Sequence, residues 1–539
     1  MPRKTTAERM KYPIGIQDFE QIIQDGYVYV DKTEMVYQLA HNGKIYFLSR
    51  PRRFGKSLLL STLKYYFLGR RDLFQGLAID RLEKEWNEYP VFHIDFNGTD
   101  FTEEGNLRSI VDGYVRTWES EWGRDPMNDD FGRRFAYVLK QAHKKTGFRA
   151  VVLVDEYDKP LLDVLDTGYK GKSEDGERPL EDIHRNILKG LYSVFKLADQ
   201  DLQFVLLTGV TKFSQVSVFS GFNQPEDISM SAEYEALCGI TKDELLTVFD
   251  GSVHELAEEL GKSYDDTVRL LQKRYDGYHF GEEMMGIFNP FSILNCLKSK
   301  RMHDFWFASG TPTYLVRLLA HCDEHINELI GKYYAASQFI DYKADVERPL
   351  PMIYQSGYLT IKDFNERRRT YLLDFPNEEV RNGFIDALAS GYFSKTTATT
   401  SWVNDVTDAL ESGNTDLFGK LMTALLSSVT YRFQRKQDAM ECERYFQYTF
   451  YLIVRMLAFY STVAEKETSE GRIDCVVECP KYVYIIEFKL NGSAQAALNQ
   501  IAAKGYAKPY AADNRQVTAL GINFSSEKGT IDGFLVENL

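Results

Sequence analysis

The stretch Ile45-Tyr46-Phe47-Leu48-Ser49-Arg50-Pro51-Arg52-Arg53-Phe54-Gly55-Lys56-Ser57 decides the fold of the first half of the chain. Its first five residues form an apolar run of the kind found in strands buried on both faces. The next eight, with proline, glycine and three arginines, read as a loop, and the helix-prone run Leu58–Phe67 follows at once. Working outward, Val91–Phe96, Ala150–Asp155 and Phe204–Thr208 are short apolar runs of the same type, with helical stretches between them. That alternation predicts βαβ units and a parallel sheet.

A strand, a glycine-containing bend and a helix can cradle phosphate, because the backbone approaches closely and the helix points its positive end at the anion. In the pattern GxxxxGK[ST] the lysine neutralises the β- and γ-phosphates and the hydroxyl holds Mg²⁺. Gly55, Lys56 and Ser57 fill these positions, but Arg50 stands where the first glycine belongs. Val151-Val152-Leu153-Val154-Asp155-Glu156 ends an apolar strand in two acids. Asp155 is placed to bind Mg²⁺ through water, and Glu156 to orient or deprotonate the attacking water. Thr208 ends the next strand with a hydroxyl that could sense the γ-phosphate. A buried strand with an acidic loop and a fortuitous Gly-Lys-Ser is the competing explanation. The strand–loop–helix setting and the motif order weigh against it.

A second set of residues lies near the other end. Gly471-Arg472-Ile473-Asp474 precedes the turn Cys479-Pro480-Lys481-Tyr482, and the apolar run Val483–Ile486 then leads into Glu487-Phe488-Lys489. Glu487 and Lys489 share one face of a strand, since side chains alternate with period two. A hairpin would bring Asp474 beside Glu487. Two carboxylates there can hold Mg²⁺ or Mn²⁺, hard ions that prefer oxygen, and Lys489 can orient water or offset phosphate charge. Glu443 is the candidate acidic helper from the preceding helix, with Glu441 as the alternative. Gln500 and Lys504, at i and i+4 of a later helix, share a face that could touch a nucleic-acid backbone. Arg432, Arg435 and Lys436 are placed to steer that backbone. An ion-paired edge strand could produce the same Asp…Glu-x-Lys spacing by chance.

The chain has 539 residues and a net charge of −14, with 44% apolar and 26% charged residues. That length predicts several domains. The acidic balance excludes a surface that coats nucleic acid indiscriminately, but not a local basic groove. No secretory leader is evident in Met1–Met10, and no apolar run approaches the roughly 18 residues of a membrane helix. The six cysteines show no CxxC pair, which points to reduced thiols in a cytoplasmic protein. Organisation reads as an α/β region at 1–239, a mostly helical region at 240–400, and a third region at 401–539. Thr241-Lys242-Asp243-Glu244 opens a helix with capping-box spacing, Asn289-Pro290-Phe291 opens another, and Thr167–Pro179 reads as a surface loop.

Tyr12-Pro13-Ile14-Gly15, Tyr29-Val30-Asp31-Lys32-Thr33, Arg50–Ser57, Val154-Asp155-Glu156-Tyr157-Asp158-Lys159-Pro160 and Thr208-Gly209-Val210-Thr211-Lys212-Phe213 closely resemble the AAA-ATPase-like proteins found widely in anaerobic bacteria. The resemblance spans about residues 11–239. Arg50 is usual in that family, and the resemblance implies a P-loop NTPase that binds ATP and Mg²⁺; Arg50 and Arg53 are candidate nucleotide contacts, though Arg53 could also simply decorate the loop. Asp31 and Lys32 shape the pocket or are surface turn residues; Arg52 contacts phosphate or decorates the loop. Gly471–Asp474, Ile486–Lys489 and Ala497-Leu498-Asn499-Gln500-Ile501, in that order, resemble the PD-(D/E)xK nuclease domain that commonly follows this ATPase-like domain. The family's helper glutamate is often followed by a Tyr-His pair, whereas Tyr445 and Phe446 follow Glu443 here. Together the resemblances imply an ATP-dependent or ATP-regulated nuclease, with DNA favoured over RNA, and by analogy a role against foreign or mobile DNA. A nucleotide-controlled switch that grips nucleic acid without cutting is the alternative, and a P-loop phosphotransferase a third. The absence of a clear arginine finger leaves open a homo-oligomer with activation by a neighbour.

Overall fold

A computed structural model describes residues 10–173, 176–213, 225–308, 329–340, 349–384, 399–429, 461–468, 471–511, 513–528 and 530–539. The chain forms two compact units, Met1–Arg381 and Asn382–Leu539.

The first unit is built on a five-stranded, all-parallel sheet. Its strands are β1 (Ile45–Ser49), β2 (Val91–Asp95), β3 (Ala150–Asp155), β4 (Leu202–Gly209) and β5 (Glu226–Asp227), in the order β2-β3-β4-β1-β5. All six residues of β3 are buried, which is why that strand is an unbroken apolar run instead of an alternating one. Because the strands are parallel, their carboxyl ends share one edge, and the loops after β1, β3 and β4 meet there.

The helix Lys56–Phe67 starts directly after β1. Gly55 caps it at φ 93°, a left-handed conformation that glycine adopts freely. Thr167–Pro179, expected as a loop, contains a short hairpin, Lys170–Ser173 with Gly176–Pro179. Thr241 and Glu244 form the expected capping box, and Asn289 caps the helix Pro290–Ser299 through its side chain. The helical residues after Ile240 share a core of Leu245, Phe249, Leu256, Leu271, Tyr275 and Ile293. Tyr12, Ile14, Val28 and Val30 pack against that core, so the start of the chain is bound to its middle. The middle also carries a small antiparallel sheet, β6 (Lys332–Ala335), β7 (Thr360–Asn365) and β8 (Thr370–Asp374), in the order β6-β8-β7.

Gly357 sets how closely this middle region meets the loop after β1. It has φ +87°, and a Cβ there would lie 2.6 Å from Pro51 Cβ and Cγ. Gly357→Ala should therefore lose about 1–2 kcal/mol to the left-handed backbone and about 1–3 kcal/mol to overpacking. A lower urea midpoint for the first unit would show the loss, and an unchanged midpoint would refute the close docking.

The second unit is a mixed sheet of β9 (Ser461–Thr468), β10 (Gly471–Glu478), β11 (Tyr482–Leu490), β12 (Gln516–Ser525) and β13 (Thr530–Asn538), in sequence order. Only β11 and β12 run parallel, and the helix Ala494–Ala503 makes the crossover that such a pair needs. Side-chain alternation along β11 divides the core. Tyr484, Ile486 and Phe488 face the helices Thr399–Glu411 and Thr415–Val429, whereas Val483 and Ile485 face Leu498 and Ile501 of the crossover helix. Glu487 and Lys489 fall in the second set. Cys238, Cys296, Cys475 and Cys479 are buried free thiols. Among the described residues, no helix is long and apolar enough to cross a membrane.

Candidate functional site

A cavity of about 470 Å³ opens at the carboxyl edge of the parallel sheet. Its floor is the loop and helix start Arg52, Arg53, Gly55, Lys56 and Ser57, with Glu156 at the end of β3 and Asn97 beyond β2. Lys56 is buried, and its ammonium donates to the carbonyls of Arg50 (2.9 Å) and Pro51 (3.1 Å). Burial pushes its pKa down, while Glu156, Asp155 and Asp158 pull it up. Burial raises the Glu156 carboxyl above the usual carboxylate range, with the Lys56 charge opposing the shift. Glu156 also takes a left-handed φ of 49°, which turns the chain sharply after β3. Arg53, at φ 68°, lies over the Phe291 ring at 5.1 Å and lines the cavity.

Two expected nucleotide contacts are placed differently. The Arg50 guanidinium does not enter the cavity. It is buried, donates to the carbonyls of Ser49, Ser229 and Tyr234, and stacks 4.0 Å from the Phe280 ring centre. The first glycine's position has thus become an anchor: Arg50 ties the loop to the structure behind it, and its carbonyl holds Lys56. Thr208 is fully buried, and its hydroxyl donates to Asp155 Oδ1 at 2.8 Å. That bond occupies the group expected to sense phosphate and fixes the Asp155 carboxylate instead. Asp158 clamps the exit of β4, accepting from the N–H groups of Val210 and Thr211 and from the Thr211 hydroxyl. Asp31 accepts from Thr33 and Ala78, and Lys32 pairs with Glu244 at 2.5 Å, so both are committed to the scaffold.

The cavity's other walls come from distant sequence. Pro13–Gln17 supply one side, and Pro290, Phe291, Trp306, Ser356 and Tyr358 supply the other. Trp306 Nε1 donates to the Arg52 carbonyl at 3.2 Å, and its backbone N–H donates to Glu379 Oε1 at 2.8 Å. Burial pushes the Glu379 carboxyl up to about 7. A carboxyl raised this way binds its proton more tightly folded than unfolded, so it costs stability as pH rises from about 4.5 through 7. Glu379→Gln should match the wild-type melting temperature near pH 5 and exceed it at pH 8. A constant offset at both pH values would contradict this.

The second unit gathers the other set. The register Cys475 opposite Ile486 carries Asp474 to the Glu487–Phe488 end of β11, where Asp474 Oδ2 accepts from the Phe488 N–H at 2.9 Å. Glu487 is 1% exposed, and burial followed by the Asp474 charge raises its carboxyl to about 7. Lys489 Nζ lies 3.3 Å from Glu487 Oε1 and donates to Gln500 Oε1 at 2.8 Å. Gln500 Nε2 donates to the same Glu487 oxygen. Gln500, expected at a nucleic-acid backbone, is thus drawn inward, because its turn of the crossover helix lies over Glu487 and Lys489. Lys504 ends that helix exposed. Glu443, Glu441, Arg432, Arg435 and Lys436 lie outside the described residues.

Comparison with known proteins now fits this geometry. The family described as predicted AAA-ATPase matches residues 13–219, and the PD-(D/E)XK nuclease superfamily matches residues 441–534. A protein of Azotobacter chroococcum mcd 1, described as an uncharacterized protein in the vnfD 5' region, is 35% identical over 541 residues, covering 98% of this chain and 99% of its own length. The chain belongs to the predicted AAA-ATPases that carry a PD-(D/E)XK nuclease superfamily domain. The likeness to the relative runs through both domains and the residues between them.

The AAA-ATPase domain therefore contains Lys56, Ser57, Asp155 and Glu156, and the PD-(D/E)XK domain contains Asp474, Glu487, Lys489 and Gln500. Glu487 Oε2 is buried and has no hydrogen-bond partner among the described residues. A buried carboxylate oxygen left in that state is costly, and a divalent cation shared with Asp474 would satisfy it. The donor set is all oxygen and suits Mg²⁺ or Mn²⁺. Among the described residues no third acid, histidine or cysteine joins the pair.

Proposed function

We propose that the protein is an ATP-dependent or ATP-regulated, metal-dependent nuclease that acts on nucleic acid, with DNA favoured over RNA. The observation that carries this reading is Glu487: one oxygen is held by Lys489 and Gln500, and the other is buried without a partner among the described residues, in the domain that also brings Asp474 to the same strand end. A bound Mg²⁺ or Mn²⁺ would supply Lewis acidity and an activated water. Asp474 and Glu487 would hold the ion, Gln500 would fix Glu487 in position, and Lys489 would offset the charge on the scissile phosphate. Glu443 would complete the acid set. Arg432, Arg435, Lys436 and Lys504 would draw in the nucleic-acid backbone.

In the AAA-ATPase domain, Lys56 and Ser57 would bind the triphosphate of ATP and its Mg²⁺. Asp155, fixed by Thr208, would stand behind the ion, and Glu156 would accept a proton from the attacking water. Arg53 would meet the nucleotide on the Phe291 side. The cavity has the size of a typical small-ligand site. Residues 240–400 would form the lid of a three-domain chain, between 1–239 and 401–539. Within that span, Gln355 Oε1 accepts from the Lys212 N–H at 2.9 Å, and Ser356 and Tyr358 line the cavity, so movement after β4 would be felt in the middle region. A cytoplasmic role against foreign or mobile DNA is the biological setting we favour.

Cleavage of single- and double-stranded DNA and RNA should be assayed with Mg²⁺ or Mn²⁺, beside Lys489→Ala. Cutting that disappears in Lys489→Ala supports the reading. Binding that survives Lys489→Ala, with no cutting under any metal, would favour the non-cleaving switch. The pairing of only two carboxylates among the described residues is the observation on that side.

A further inference from the structure

Among the described residues, the cavity holds one cation that the loop after β1 does not supply. Lys159 follows Glu156 by three residues, and its N–H donates to the Glu156 carbonyl at 3.0 Å, so a single turn presents both side chains to the cavity. Its ammonium lies 5.6 Å from the Phe101 ring centre and pairs with Asp163 Oδ2 at 2.5 Å. Both side chains of that pair are about a quarter exposed (25% and 26%). The pair spans a single helical turn and keeps some exposure to solvent, and contacts of this kind hold only weakly. Lys159 can therefore exchange Asp163 for a stronger anion at little cost. The other cations have different commitments. Lys56 is held at the loop carbonyls, Arg50 is turned away, Arg53 lies on Phe291, and Arg52, which also lines the cavity, holds Trp306 through its carbonyl while its charge acts on Glu156.

Glu156 locates the reacting phosphate, since the water it activates must attack there. We propose that Lys159 is a catalytic residue acting in cis: it leaves Asp163, binds the terminal phosphate, and offsets the charge that builds there during hydrolysis, so no arginine from a neighbouring copy is needed. The inference rests on the reading of the cavity as an ATPase site. In the step itself, water oxygen bonds to the γ-phosphorus, the bond from that phosphorus to the β-bridging oxygen breaks, ADP leaves, and the water's proton passes to Glu156. Lys159 takes no part in the proton transfer.

The test is steady-state ATP hydrolysis by the full chain over a wide range of protein concentration. Lys159→Met keeps the aliphatic stem on Phe101 and removes the charge. An arginine finger contributes about 10³–10⁵ in kcat, and a lysine in cis should be worth about 10² or more. Lys159→Met should thus lose about 100-fold or more in kcat with KM little changed, and Lys159→Arg should recover part of it. Asp163→Asn, which frees the ammonium, should retain or raise kcat. Wild-type activity per chain should not change with concentration. Wild-type kcat in Lys159→Met, or activity per chain that climbs with concentration, would overturn the inference alone. No ATP hydrolysis by the wild-type chain would overturn the reading of the cavity, and this inference with it. Unchanged ADP affinity in Lys159→Met would show that the variant is folded.

Discussion

Glu487→Gln is expected to reduce phosphodiester cleavage by about 10³-fold or more while leaving ATP hydrolysis intact. Lewis-acid stabilisation by a bound ion is worth several kcal/mol, and about 4 kcal/mol corresponds to about 10³ in rate. Glutamine keeps the size and the contacts to Lys489 and Gln500, so the packing around residue 487 should survive. It removes the negative charge and gives the orphaned oxygen's place to a group with at most weak affinity for a hard cation. The variant should also lose Mn²⁺ binding when titrated calorimetrically. Full cleavage by Glu487→Gln would show that the metal does not rest on this carboxylate.

Lys56→Ala is the second large effect, and it acts in the other domain. Lys56 forms part of the floor of the cavity, and its charge is set against Glu156, Asp155 and Asp158. Its ammonium now satisfies two loop carbonyls, the arrangement from which it can turn to phosphate oxygens. Removing it should weaken ATP binding and lower kcat by about 10² or more, since positioning and charge compensation are most of phosphoryl-transfer catalysis. It should also lower stability near neutral pH, because three acids at one sheet edge lose their shared cation. Calorimetric ATP titration and steady-state turnover read the first effect, and thermal melting reads the second. Wild-type turnover in Lys56→Ala would place the nucleotide elsewhere.

The sequence disclosed the sheet edges better than the side-chain partners. β1 and β3 fall where the apolar runs begin and end, because strands buried on both faces leave no polar interruption. The Asp474–Glu487 approach was legible too, since a short turn and period-two alternation leave little freedom. Arg50 was not. Its direction is decided by Phe280 and by carbonyls at residues 229 and 234, and no local pattern encodes those contacts. Thr208 is ambiguous in sequence: a hydroxyl at a strand end faces either solvent or the neighbouring strand, and here it meets Asp155. The i, i+4 spacing of Gln500 and Lys504 specified a helix face but not what lies beneath it. Trp306, Ser356 and Tyr358 carry no motif, and only folding brings them to the cavity. Asp158 and Lys159 lie inside the Val154–Pro160 motif, where Lys159's spacing from Glu156 is the available signal.

The deciding measurement is the rate at which the full chain cuts double-stranded DNA with Mg²⁺, measured with ATP, with ADP and with no nucleotide. Cleavage whose rate depends on which nucleotide is present, with loss of that dependence in Lys56→Ala, is the expected result. ATP hydrolysis without cleavage of any nucleic acid, with Mg²⁺ or Mn²⁺, would contradict it and leave the second unit as a surface that grips its partner.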